Sequence, residues 1–309
     1  MRVAVVGLGG VGGYFGGYLA RYGQEHREHE VCFLARGKHL QAIQEKGLLV
    51  KGQDQEFVAV PALATDKAEA IGPVDVVLFC TKGYDLEATA EQIRPIVQAT
   101  TVVIPLLNGV DNAERLQAVL PEAQVVNGCC YIFSWIAGPG EIVQSGPHSR
   151  MVFGLNGEGA DTGLKEKLQA FEALCKAASI RAKFTTAIEE AVWMKYLMIC
   201  AMGGATAYYG EPVGEVRKGP EKRALLTGLL QEIAQLAQAK GIALAPDAAD
   251  KTLALIDTLD PASTTSLQRD VAQGHRTEIG SFSGYVVRAA EALGLDVPAH
   301  RQVLERLGE

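Results

Sequence analysis

Residues 2–22 read RVAVVGLGGVGGYFGGYLARY, and this stretch decides the fold. Arg2 to Val6 is a short β-branched run. It leads into Gly7-x-Gly9-x-x-Gly12, with Gly10 and Gly13 as further glycines, and then into a segment of helical character. A strand, a glycine turn and a helix in that order form the context in which this spacing marks a dinucleotide site. The reason is steric. Gly7 permits the tight turn, Gly9 lets the backbone approach a pyrophosphate, and Gly12 lets the helix pack on the strand. The turn Gly7, Leu8, Gly9, Gly10, Val11, Gly12 then ends in free N–H groups at a helix N-terminus, which attract phosphate.

The end of the second strand chooses the cofactor. Enzymes that use NAD usually place Asp or Glu there for the ribose hydroxyls. This chain has Leu34-Ala35-Arg36-Gly37-Lys38. A guanidinium at that point pairs with a 2′-phosphate, so NADP(H) is expected, with Arg36 as the main contact and Lys38 as a helper. Lys82 and Asn108 stand just past two further strand-like runs, Val74 to Cys80 and Thr101 to Leu106. In open parallel sheets ligands bind beyond the carboxyl ends of the strands. The glycine turn, Arg36, Lys82 and Asn108 therefore converge on one edge. Taken singly, Lys82 or Asn108 would be a turn residue more often than not, and Asn108-Gly109 is a good turn dipeptide.

The rest of the first half alternates strands and helices. Val31 to Leu34 reads as a strand and His39 to Glu45 as a helix, and residues 48–65 resemble a hairpin. Leu86 to Gln98 and Asn112 to Val119 read as helices, and Ala123 to Cys129 as a strand. Tyr131 to Leu155 carries strand-and-turn patterns, Leu164 to Ala178 is helical, and Arg181 to Phe184 is a short strand. Continuous apolar strands alternating with helices predict an α/β fold, a doubly wound parallel sheet covered on both faces. Beyond Thr186 the periodicity is almost purely helical, over Ile188 to Tyr208, Lys222 to Lys240, Asp247 to Ile256 and Ser263 to Leu293. Two domains are expected: 1–186, binding NADP, and 187–309, helical and carrying substrate and catalytic residues.

The 309 residues are long for one core and comfortable for two. With 29 Lys and Arg against 36 Asp and Glu, the net charge is −7 with both signs interspersed, which argues against a nucleic-acid partner. No apolar run reaches the roughly 18 residues of a membrane span, and no signal-peptide pattern is visible. The six cysteines (Cys32, Cys80, Cys129, Cys130, Cys175 and Cys200) form no CxxC pair and have no histidine spacing with them. They read as reduced thiols of a cytoplasmic protein, with no metal site. The helical domain leaves a homodimer open, with no exposed apolar stripe to mark its face.

The helical half holds one conspicuous charge. Lys195 lies in AVWMKYLMICAMGG, residues 191–204, where its helical neighbours are Ala191, Val192, Met198 and Ile199. It is either snorkelling at an edge or facing a cleft as a proton donor. Reduction of a ketone needs such a donor, because hydride arriving at carbon builds negative charge on oxygen. Ser266 to Asp270 reads as the start of a short helix ended by Gly274, and Thr277 to Ile279 opens the next. Ser266 and Glu278 then serve either function or helix capping and the helix dipole.

In order, the motifs GLGGVGGYFG, CTKGYDLE, LLNGVDN, VWMKYLM, SLQRD and RTEI resemble the ketopantoate reductase (2-dehydropantoate 2-reductase) family from Arg2 to about Arg306. The resemblance implies a Rossmann domain, a helical second domain and NADPH-dependent reduction of 2-dehydropantoate to pantoate in pantothenate biosynthesis. By similarity, Lys195 is the catalytic lysine and Glu278 the glutamate that orients it. Ser266 is the serine that holds substrate, and Asn108 lies near substrate and nicotinamide. Lys82 is the cofactor-side lysine, Arg36 the 2′-phosphate arginine, and Asn108 and Glu278 also count among the cofactor's contacts. The family commonly places asparagines four and eight residues after the lysine. Here those positions are Ile199 and Gly203. This opens two alternatives: a reductase of another small 2-oxo acid, less polar or bulkier, and an NADP-binding regulator without turnover.

Overall fold

The β-branched run at the N-terminus is one of the two central strands of a parallel sheet in a computed structural model that describes residues 1–53, 55–157 and 161–308. Asp54, in the expected hairpin turn, lies outside the described residues. Contacts divide the chain into two units, Met1–Leu107 with Asp111–Ile188, and Asn108–Val110 with Glu189–Glu309.

In chain order the first unit contains β1 (Arg2–Val6), α1 (Gly10–Glu25), β2 (Glu30–Leu34), α2 (Gly37–Lys46), β3 (Leu48–Lys51), β4 (Glu56–Ala59), β5 (Leu63–Thr65), β6 (Val76–Phe79) and α3 (Leu86–Ile93). It continues with β7 (Val102–Pro105), α4 (Asn112–Val119), β8 (Gln124–Val125), β9 (Asn127–Gly138), β10 (Glu141–Gly154), α5 (Thr162–Ala177) and β11 (Arg181–Thr185). Six of these strands form one sheet in the order β5-β2-β1-β6-β7-β8, and every pairing in it is parallel. The chain leaves β1 toward β2 on one side and returns to β6 on the other, so the order reverses between β1 and β6. A ligand crevice forms at such a switch point.

Both faces of this sheet are covered. Val3, Val5, Val76, Leu78, Val102 and Ile104 join one core. Their alternates Ala4, Val6, Val77, Phe79 and Val103 join the other, beneath α3 and α4. Residues 76–79 are all fully buried, and burying each such side chain is worth about 1.5–3 kcal/mol before entropy is set against it. That is why these strands read as unbroken apolar runs.

A second sheet lies beyond α1, in the order β11-β10-β3-β4 with β9 paired antiparallel to β10. A lone parallel sheet does not anticipate it. The expected hairpin exists as β3 and β4, but β3 also pairs in parallel with β10, and β5 returns to the first sheet beside β2. The expected strand Ala123 to Cys129 is two strands: β8 ends the first sheet, and from Asn127 the chain enters the second. Glycines let α1 sit between the sheets. A Cβ at Gly13 would press on Ile142 and one at Gly17 on Val50, while Gly16 faces Val5 and Phe33. The expected helix Leu86 to Gln98 stops at Ile93, and Pro95 continues it only as a 3₁₀ turn, Arg94–Ile96.

The second unit is helical: α6 (Ile188–Tyr209), α7 (Val213–Val216), α8 (Pro220–Ala239), α9 (Ala248–Thr258), α10 (Ser266–Ala272), α11 (Ser283–Ala292) and α12 (Pro298–Leu307). Its core gathers Trp193, Tyr196, Leu197, Leu229, Ile233, Phe282, Val286 and Val303. The helical stretch from Ser263 breaks at Gly274, as the sequence predicts. α10 ends at Ala272, Gly274 takes a left-handed φ of 64°, and a 3₁₀ turn at Ile279–Ser281 precedes α11. Among the described residues no helix is long and apolar enough to cross a membrane. The six cysteines are free, buried thiols.

Candidate active site

Four parallel strands end at one edge of the first sheet, and each is followed by a residue singled out by the sequence. Gly7 follows β1 with φ 89°, and its N–H donates to the Leu34 carbonyl at 3.2 Å. A Cβ there would sit 2.9 Å from the backbone of Cys80 and Thr81, so only glycine allows β1 and β6 to turn off so closely. At Gly12 a Cβ would collide with the Gly7 carbonyl oxygen and stand 2.9 Å from Cys80 Cβ. Gly9 differs. It is the N-cap of α1 with φ −71°, and a Cβ there meets no protein atom within 4 Å. Folding of this chain does not require glycine at position 9, whereas close approach of a pyrophosphate does. The first turn of α1 carries no acidic residue and no side chain caps it, so its N–H groups and dipole stay available to an anion. Leu8 is buried and Val11 half-buried. The turn thus fits a dinucleotide.

Arg36 is the N-cap residue of α2, two residues past the end of β2. Its side chain is 88% exposed, and its guanidinium meets Asp85 at 3.3 Å. Asp85 lies in a 3₁₀ turn, Gly83–Asp85, whose N-cap is Lys82. Arg36 and the Lys82 turn are therefore drawn together beyond the ends of β2 and β6, the two strands that flank β1, a contact the sequence reading did not foresee. Lys38 is exposed in the first turn of α2.

Asn108 follows β7 after Leu106 and Leu107, and with Gly109 (φ 118°) and Val110 it groups with the helical unit. There it meets Lys195. This lysine is 7% exposed on α6, and its Nζ donates to Asn108 Oδ1 at 2.9 Å. An ammonium has three donors and no acceptor, so the amide oxygen is the atom that must face it. The contact spans 87 residues of sequence. Snorkelling is excluded by the burial: the nitrogen is held by a fixed acceptor and not by bulk water.

Glu278 is 7% exposed and precedes the 3₁₀ turn. Thr277 accepts from the Ile279 N–H at 3.4 Å. Of the three hydroxyls at the start of α10, Thr265 is the cap, accepting from the Gln268 N–H at 3.1 Å, and Thr264 accepts from Arg269 at 2.9 Å. Ser266 stands exposed at the first helical position, so helix capping does not account for it. Gln268 was not singled out by the sequence. It is 8% exposed, and its Oε1 is buried without a hydrogen-bond partner in the protein. Its place two residues beyond Ser266 was the only available signal. Among the described residues no cluster of His, Cys, Asp and Glu is arranged to hold a metal ion.

Residues 3–158 match the sequence profile described as Ketopantoate reductase PanE/ApbA, and residues 187–309 match Ketopantoate reductase PanE/ApbA C terminal. Among curated relatives, the chain is 30% identical to "Uncharacterized oxidoreductase YkpB" of Bacillus subtilis, covering 99% of this chain and 98% of the relative. It is 26% identical to a 2-dehydropantoate 2-reductase of Streptococcus pyogenes, with coverage of 99% and 96%. The crystal structure of 2-dehydropantoate 2-reductase from Porphyromonas gingivalis is 35% identical, with a TM-score of 0.86 and coverage of 100% and 99%. The crystal structure of a PanE/ApbA family ketopantoate reductase from Ralstonia eutropha is 31% identical, with a TM-score of 0.88 and coverage of 99% and 97%. Fold, glycine turn and profiles agree, and the chain belongs to the ketopantoate reductase family, NADP-dependent oxidoreductases that act on a CH–OH group.

Proposed function

We propose that this protein reduces ketopantoate, a small branched 2-oxo acid, to pantoate with NADPH. The observation that carries the reading is the buried Lys195 ammonium held on Asn108 Oδ1 at 2.9 Å. A lysine among apolar neighbours, aimed by one acceptor just past a strand end of the nucleotide-binding sheet, is a proton donor in search of a developing alkoxide.

The glycine turn from Gly7 to Gly12 would hold the pyrophosphate of NADPH, Arg36 its 2′-phosphate, and Lys82, Asn108 and Glu278 its nicotinamide half. When bound, NADPH supplies a hydride for the carbonyl carbon. Lys195 polarises the ketone oxygen and gives it a proton as charge builds there. Asn108 fixes the direction of the ammonium, and Glu278 serves as the carboxylate that orients it. Ser266 anchors one end of the substrate with its exposed hydroxyl. The reading keeps the two domains of the sequence analysis, 1–186 for NADP and 187–309 for substrate.

The test is NADPH oxidation by purified protein with ketopantoate, run beside Lys195→Ala. A positioned general acid contributes about 10²–10⁴ in rate. The variant is expected to lose turnover by that factor and to bind NADPH as the native protein does. Tight NADPH binding with no oxidation of any 2-oxo acid would make the protein a regulator instead.

A further inference from the structure

We propose that the substrate wall beside Lys195 reads shape and not a hydroxyl, so that the protein reduces branched apolar 2-oxo acids about as well as ketopantoate. The inference rests on the reductase reading above and specifies its substrate class.

Ile199 lies one helical turn beyond Lys195 and Gly203 two turns, about 6 and 12 Å along α6 at 1.5 Å per residue. Over residues 191–203 the partly exposed stripe of this helix consists of Ala191, Met194, Met198, Ile199 and Met202, and Lys195 is set into it. Between Ala191 and Gly203, Lys195 is the one residue of that stripe with a strong hydrogen-bonding group. Three of the five methionines of the chain lie here at intervals of four residues. Thioether chains of this kind fill irregular apolar space and adapt to what they meet.

Position 203 is closed as well as apolar. A Cβ on Gly203 would lie 3.3 Å from the Phe282 ring and 3.7 Å from Leu267 Cβ. Both residues are 2% exposed. Phe282 therefore occupies the ground into which a polar side chain from this turn would reach. The next hydroxyl along the helix, Thr206, is fully buried and committed, donating to the Met202 carbonyl at 2.8 Å and meeting Thr265 Oγ1 at 2.8 Å.

A site that hydrogen-bonds a substrate hydroxyl rejects the analogue without it by about 10⁴–10⁵, whereas an apolar wall distinguishes the two weakly. Trimethylpyruvate is ketopantoate with its terminal hydroxyl replaced by hydrogen, so the pair isolates this group. Reduction is the same for both: the carbon–oxygen π bond breaks, hydride goes to carbon, and the oxygen takes a proton from Lys195. The experiment measures kcat/KM with NADPH for each acid, on the native protein and on Ile199→Asn. The native ratio of ketopantoate to trimethylpyruvate is expected within about tenfold. Ile199→Asn is expected to move that ratio toward ketopantoate by tenfold or more. A native preference for ketopantoate of about 10³ or above overturns the proposal and leaves the reductase reading standing, with Gln268 Oε1 as the next hydroxyl acceptor to examine. Turnover of neither acid overturns both.

Discussion

Replacing Gly9 and Gly12 in turn by alanine separates what folding demands of the glycine turn from what a nucleotide demands. At Gly9 the backbone has φ −71° and ψ −168°, values any residue adopts, and the added methyl meets no protein atom within 4 Å. Alanine is a poorer N-cap than glycine, but it lowers unfolded-chain entropy by about 0.4–1 kcal/mol. The net effect on stability is within about 1 kcal/mol, a melting shift of roughly 2–4 °C for a unit of this size. In the proposed site the same methyl would stand where the pyrophosphate approaches the backbone. Losing one N–H bond to a charged oxygen costs about 1.5–3 kcal/mol, so NADPH affinity is expected to fall about 10- to 100-fold. At Gly12 the methyl collides with the Gly7 carbonyl and presses on Cys80 Cβ at 2.9 Å. Backbone cannot yield there without moving α1, so Gly12→Ala is expected to lose about 1–3 kcal/mol of stability as well as affinity. Titration calorimetry with NADPH and thermal melts of both variants decide the matter. Native NADPH affinity in Gly9→Ala would refute the reasoning.

Two further outcomes follow from particular side chains. Arg36→Ala is expected to raise the KM for NADPH and to spare NADH, because Arg36 is 88% exposed and leaves the core untouched; equal effects on both cofactors would argue against a phosphate contact. His300 is buried against Ser283 Oγ at 3.0 Å and the Leu229 carbonyl at 3.1 Å, and burial pushes its pKa down from 6.5 to about 4. The fold favours the neutral ring, so its contribution is complete above pH 6.5 and is lost as pH falls toward 4, on the order of 3 kcal/mol. Glu232, which accepts from the N–H groups of Ala299 and His300, works in the opposite sense because burial raises its carboxyl pKa. Denaturant melts of native and His300→Gln proteins across that window isolate the histidine: the variant is expected to show the flatter acid limb, and parallel curves would contradict this.

The parts of the fold legible in the sequence are those set by local pattern. The turn at Gly7 to Gly12, the buried run at residues 76–79 and the basic residue after β2 each carry their physical reason within a few residues. The second sheet does not. Its parallel register sets Glu141 beside Leu49, a pairing across some ninety residues that no local periodicity encodes. Lys195 stood out as a charge in an apolar helix, but its acceptor was hidden for the same reason: Asn108 reads locally as a turn residue. Resemblance marked Ser266 and Glu278, and the structure adds that Thr265 and Thr277 take the local capping bonds, which leaves the serine exposed. Gln268 shows the limit most clearly, since its burial depends on packing of α10 that its own sequence does not record.

The most direct measurement is the rate of NADPH oxidation with ketopantoate by native protein and by Lys195→Ala, with NADPH affinity determined on the same samples. Turnover in the native protein, a loss of about 10²–10⁴ in the variant and NADPH affinity within about twofold is the predicted result. A variant that keeps native turnover would contradict it.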